Sequence, residues 1–111
     1  MKADGGYSSA MSGGSVLVGH VEVEGRKALG VRVELPGSPP LLLLVAEKGF
    51  VMCGYLNVEA AERLGVAAAM VSGVRAFEDV LEAPVKACTS KARELGVQES
   101  MKGREALKKL M

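Results

Sequence analysis

The sequence predicts an α+β or α/β fold: a single compact domain in which an antiparallel-rich sheet of four to five strands is packed by three to four helices. Three observations carry that expectation. Apolar side chains alternate with a period of two between Val21 and Leu35, the mark of half-buried antiparallel strands. Two short aliphatic runs follow, Leu41 to Ala46 and Phe50 to Leu56, each bounded by Gly or Pro. Beyond Asn57 the apolar spacing changes to three and four, as on one face of a helix.

The chain has 111 residues, a length suited to one domain. Met1 to Gly14 is rich in Gly and Ser without an apolar period and reads as a flexible tail, so the domain is expected over residues 15–111. In the first hairpin Leu29, Val31, Val33 and Leu35 share one face, and Ala28, Gly30, Arg32 and Glu34 share the other. Glu24-Gly25-Arg26-Lys27 supplies its turn, where Gly25 can take a positive φ. The two adjacent prolines of Pro36-Gly37-Ser38-Pro39-Pro40 interrupt the ladder. Leu41–Ala46 and Phe50–Leu56 do not alternate, so they read as central strands covered on both faces. Asn57 is a favoured N-cap, Val58, Ala61 and Leu64 form the inward stripe of the helix it opens, and Gly65 stops that helix. Val66 to Val71 reads as a buried strand or as a continuation of packed helix. Phe77, Val80 and Leu81 mark a short helix. Pro84 suits the start of another, with Val85, Cys88, Ala92 and Leu95 on one face and Gly96 as its end. Gly103 to Leu110 closes the chain as a helix with Ala106, Leu107 and Leu110 inward.

A formal net charge of +1 argues against electrostatic nucleic-acid binding. The longest aliphatic run is far short of the ~20 residues a membrane span requires. The first fifteen residues lack the apolar stretch of a signal peptide, so the expected location is cytoplasmic. In that compartment Cys53 and Cys88 are expected as free thiols.

The stretch Glu47-Lys48-Gly49-Phe50-Val51-Met52-Cys53-Gly54-Tyr55-Leu56-Asn57 is distinctive. Together with Leu64-Gly65, Ala67-Ala68-Ala69, Ser72-Gly73-Val74, Phe77-Glu78-Asp79-Val80-Leu81 and Gly103-Arg104-Glu105-Ala106-Leu107, it resembles the YunC-like family of small prokaryotic proteins, a domain of unknown function. The resemblance covers everything past the tail and implies a compact α/β domain; it brings no activity with it. Family members typically read GMTGREAL near the end, where this chain has Ser100-Met101-Lys102-Gly103, without the small Gly and the capping Thr.

Candidate site residues must therefore be weighed on their own chemistry. Cys53 lies late in a central strand, shortly before a helix start, where a thiol can become nucleophilic; with no His or Asp at a recognisable spacing, a buried packing role is the favoured reading. Asn57 and Glu59 stand at that helix start as candidate ligand contacts, and capping accounts for them as well. Arg75 opposes the dipole of the helix it precedes, which suits a clamp for a carboxylate or phosphate; the alternative is pairing with Glu78 or Asp79. Cys88 reads as core and His20 as a solvent or interface residue. Neither a dinucleotide fingerprint nor paired metal-ligand spacing occurs, so no cofactor and no metal are expected. The functional expectation is an oligomeric small-molecule-binding or interaction domain, with a homo-oligomer and a small anionic ligand as partners and without nucleic acid or membrane. The alternative is a small thiol-dependent enzyme or redox protein using Cys53, so catalysis is left open.

Overall fold

The computed structural model describes residues 16–111, so the expected tail lies outside the described residues. The elements are β1 (Val16–Val23), β2 (Arg26–Val33), β3 (Leu41–Val45), β4 (Phe50–Met52), α1 (Val58–Leu64), β5 (Ala68–Met70), α2 (Phe77–Glu82), β6 (Ala87–Cys88), α3 (Ser90–Glu94) and α4 (Gly103–Leu110). The described strands form one mixed sheet in sequence order, β1-β2-β3-β4-β5-β6, six among the described residues where four to five were expected. Each neighbouring pair is antiparallel except β4 and β5, which run parallel and are joined through α1. No described helix is long and apolar enough to cross a membrane.

The β1–β2 turn is tighter than the sequence suggests. Glu24 and Gly25 both have positive φ (51° and 81°), and Arg26 already pairs with Val23. Such a two-residue turn matches the twist of the strands it joins. The facing of β2 is reversed from the intuitive choice. Ala28 and Gly30 point into the core, whereas Leu29 is exposed and Val31 and Val33 are only half-buried. The small residues leave room for α2: the Phe77 ring lies on Gly30, and a Cβ there would stand 2.9 Å from it.

The core occupies one side of the sheet. Leu42, Leu44, Val51 and Ala69 meet Val80 and Leu81 of α2, Ala106, Leu107 and Leu110 of α4, and Ala92 of α3. α2 and α4 approach so closely that a Cβ on Gly103 would collide with the Val80 carbonyl oxygen. Gly103 N–H donates to the Ala83 carbonyl at 2.8 Å, fixing that crossing. α1 stands apart from this layer, packing on β5 where Ala61 and Ala68 are buried outside the main cluster.

Two helix expectations need correction. Leu64 does not belong to an inward stripe; it is 77% exposed, because α1 buries only Ala61. The segment after Pro84 is not helical as far as Cys88. Pro84 makes an isolated bridge with Lys102, and Ala87–Cys88 is a strand on β5. The helix begins at Ser90 because Thr89 caps it, accepting from Ala92 N–H at 3.3 Å. Thr89 is buried and fully employed. Its hydroxyl also donates to the Val66 carbonyl at 2.7 Å and accepts from Ala68 N–H at 3.0 Å.

Candidate ligand-binding site

The parallel pair sets the position of the cleft. β4 and β5 are in register, Met52 opposite Met70, so their carboxyl ends emerge side by side. In open α/β sheets, ligands bind outside the carboxyl ends of parallel strands where the strand order reverses. The described strands have no such reversal, and the cleft is defined by its own lining. Here the chain leaving β4 (Cys53, Gly54, Tyr55) and the chain leaving β5 (Ser72 to Arg75) enclose a cleft of about 270 Å³, closed on a third side by Pro39 and Pro40.

Each wall is fixed by local bonding. Cys53 extends the ladder: its N–H donates to the Leu42 carbonyl at 3.1 Å, and Leu42 N–H donates to its Sγ at 3.3 Å. Its side of the cleft is nearly closed to solvent, with Cys53 4% exposed. The Cys53 carbonyl accepts from Leu56 N–H at 3.1 Å, which folds the chain back towards α1. Tyr55 spans the opening, its hydroxyl donating to the Pro39 carbonyl at 3.0 Å. Opposite, Arg75 is held by its backbone. Its N–H donates to the Asp79 carboxylate at 3.0 Å, and its carbonyl accepts from the Arg32 guanidinium at 2.6 Å. The Asp79 carboxylate is thus engaged with backbone, and among the described residues the Arg75 guanidinium forms no ion pair. An exposed cation on the rim of a mostly apolar cleft can neutralise an anion and orient it by paired N–H groups.

Of the four sequence candidates, Cys53 and Arg75 line this cleft, although 22 positions apart in the chain. Asn57 and Glu59 do not. The Asn57 side chain accepts from Ala60 N–H at 3.0 Å, which is capping, and Glu59 is exposed in the first turn of α1. Tyr55, Ser72 and the proline pair were not anticipated. The available signal was a strand–helix–strand unit over residues 50–71, which brings the residues after both strands to one edge.

Other titratable groups lie elsewhere. Cys88 is buried on β6, its thiol 4.0 Å from the Val97 carbonyl, and burial pushes its pKa up. His20 is exposed on β1. Among the described residues no three His, Cys, Asp or Glu side chains are grouped to hold a metal. In a second hollow, near Glu24 and Glu105, the two carboxylates are bridged by Lys108, which donates to Glu24 at 3.0 Å and lies 3.7 Å from Glu105; Arg26 and Lys109 also line it.

Comparison with known proteins agrees with this architecture. Residues 52–110 match the model of the domain of unknown function DUF1805. The chain is 35% identical over 95 residues to the uncharacterized protein YunC of Bacillus subtilis (strain 168), covering 82% of this chain and 93% of that protein. It is similar in structure to TA1206 of Thermoplasma acidophilum, a protein of unknown function, with a TM-score of 0.83 and 30% identity over 93% of this chain and all of that one. The domain model begins at Met52, on the strand that opens the cleft, and with the similarity to YunC it establishes that the chain belongs to the DUF1805 family.

Proposed function

We propose that this protein is a small-molecule-binding domain and that the cleft beyond β4 and β5 takes a small organic anion, a carboxylate or phosphate carried on an apolar body. One observation carries the reading: the Arg75 guanidinium, without an ion-pair partner among the described residues, lines a cleft at the carboxyl ends of a parallel strand pair. The apolar walls of Pro39, Pro40 and Val74 suit the body of such a ligand, and the Ser72 hydroxyl adds a hydrogen-bonding group at the rim. The test is thermal unfolding with inorganic phosphate and a set of small mono- and dicarboxylates. A ligand present at about 100 times its Kd adds ~2.7 kcal/mol of stability, and Arg75→Ala should abolish the resulting rise in Tm. No rise with any of these anions, or an equal rise in Arg75→Ala, refutes the reading.

A thiol-dependent reading has one supporting observation, that the Cys53 sulfur lines the same cleft, where it receives the Leu42 N–H. Its near-complete burial opposes that reading. Alkylation of folded protein by iodoacetamide separates the two: modification of Cys53 only after unfolding assigns it to packing.

A further inference from the structure

We infer that the sheet face turned away from α2 and α4 is a self-association surface on which a second copy of this chain docks, sheet against sheet, about a two-fold axis. The ladder register places Val18, Val31, Leu43, Val45, Phe50 and Met52 on this face. Not one of these six is buried, and Leu29 beside them is 39% exposed. A solvated antiparallel face normally carries polar residues at alternate positions. Here the outward positions across the middle of β1 to β4 are aliphatic or aromatic, and polar side chains stand only towards the turn, at His20, Glu22 and Lys27.

The size of the face suits a dimer. The four strands have eight, eight, five and three residues; at a rise of ~3.3 Å and a spacing of ~4.8 Å their flat outline is about 400 Å² before side-chain relief. That is within the ~300–600 Å² of the largest apolar patch of a monomer, a kind of patch that is often functional. A stable interface takes ~800 Å² from each partner, so the apolar centre supplies about half of it and the polar rim the rest. Charge selects the occupant. Glu22 and Lys27 are directly opposite across β1 and β2, so the charged corner is neutral and two like faces meet without repulsion. The apolar centre offers no ionic group to a charged partner. Two sheets pack face to face with their inner side chains interdigitating about 10 Å apart. An isologous contact closes at two copies and leaves no apolar face outside. This inference rests on the face and is independent of the cleft.

Sedimentation equilibrium on the full chain, from about 1 to 100 µM, tests it directly. The expected mass for wild type is twice 11.6 kDa at the upper end. Leu43→Lys should raise the dissociation constant by about 100-fold or more, because a charge buried without a partner at an interface is costly. Leu29→Lys is the companion variant: its site is already well exposed in a single chain, so it folds even where Leu43→Lys does not. Far-UV circular dichroism monitors folding of both. Dimeric wild type with a folded, dissociated Leu29→Lys supports the interface. Monomeric wild type throughout, or a dimer undisturbed by every folded variant, overturns it.

Discussion

Neighbouring leucines of β3 have opposite environments. Leu42 and Leu44 are wholly inaccessible beneath the helices, while Leu41, Leu43 and Val45 are only partly covered. Composition does not distinguish the two sets, because Leu41 to Leu44 are four identical side chains. What differs is the opposing layer. On one side the small Ala28 and Gly30 admit Phe77, and Gly103 lets α4 press against α2. On the other, α1 packs on β5, at one end of the sheet. Covering is therefore decided by small residues in and opposite the strands, not by the apolar character of the strand itself.

The largest expected effect breaks this symmetry within one strand. Leu44→Ala leaves a cavity in a closed core and should cost about 3–4 kcal/mol. Leu43→Ala, in a monomer, removes partly solvated surface and should cost about 1 kcal/mol. Urea unfolding of both variants at low protein concentration measures the difference. Equal losses would show that the outer face is as tightly packed as the inner one.

Much of this arrangement is legible in the sequence, and what is not has physical causes. The first hairpin, the central place of β3 and β4, the Asn57 cap with its Gly65 stop and the closing helix all follow from local patterns. Yet β3 and β4 lack the cover on both faces that their unbroken apolar runs suggest: Leu41, Leu43, Val45, Phe50 and Met52 are only partly covered, and β4 ends at Met52 rather than Leu56. Gly65 takes the left-handed conformation at φ 73°, as a helix stop requires. Local pattern fails where tertiary context chooses between equal alternatives. The odd residues of β2 are the larger apolar set, yet the even residues meet the helices because the space beneath Phe77 is narrow. Val85 and Cys88 have spacing compatible with a helix, but pairing of Ala87 and Cys88 with Met70 and Ala69 makes them a strand. For the site, Cys53 and Arg75 were singled out from local chemistry. Tyr55 and Ser72 were invisible until β4 and β5 became parallel neighbours.

Thr89 offers an intermediate effect at the edge of the covered side. Its hydroxyl serves Ala68 N–H on β5, the Val66 carbonyl and Ala92 N–H on α3, so sheet and helix layer are joined by one buried oxygen. Thr89→Val keeps the shape and strands those groups, at an expected cost of about 2 kcal/mol. Thr89→Ser retains the hydroxyl and should recover most of that loss in the same denaturant titration. A Val variant as stable as wild type would mean that the helix layer is held by apolar packing alone.

The smallest effect has the opposite sign. Ser100 has a φ of 79°, in the left-handed region that favours glycine, where the family pattern GMTGREAL has its first Gly and this chain does not. Its N–H donates to the Val85 carbonyl at 2.9 Å, so the loop leading into α4 holds that conformation rather than relaxing out of it. Replacing the side chain by hydrogen removes a steric penalty of ~1–2 kcal/mol. Against this, glycine gives the unfolded chain more conformational freedom, which offsets about half of the gain. Ser100→Gly should therefore stabilise the fold by about 0.5–1 kcal/mol, and Ser100→Val should destabilise it because a β-branched residue fits the left-handed region poorly. Thermal unfolding at fixed protein concentration reads both. Since Ser100 leads into the layer on the covered side, the gain should leave the sedimentation mass unchanged, whereas Leu29→Lys should alter that mass with little loss of monomer stability. If Ser100→Gly also shifted the association equilibrium, the two faces would be coupled through the sheet, and the contrast between Leu43 and Leu44 would no longer describe two independent surfaces.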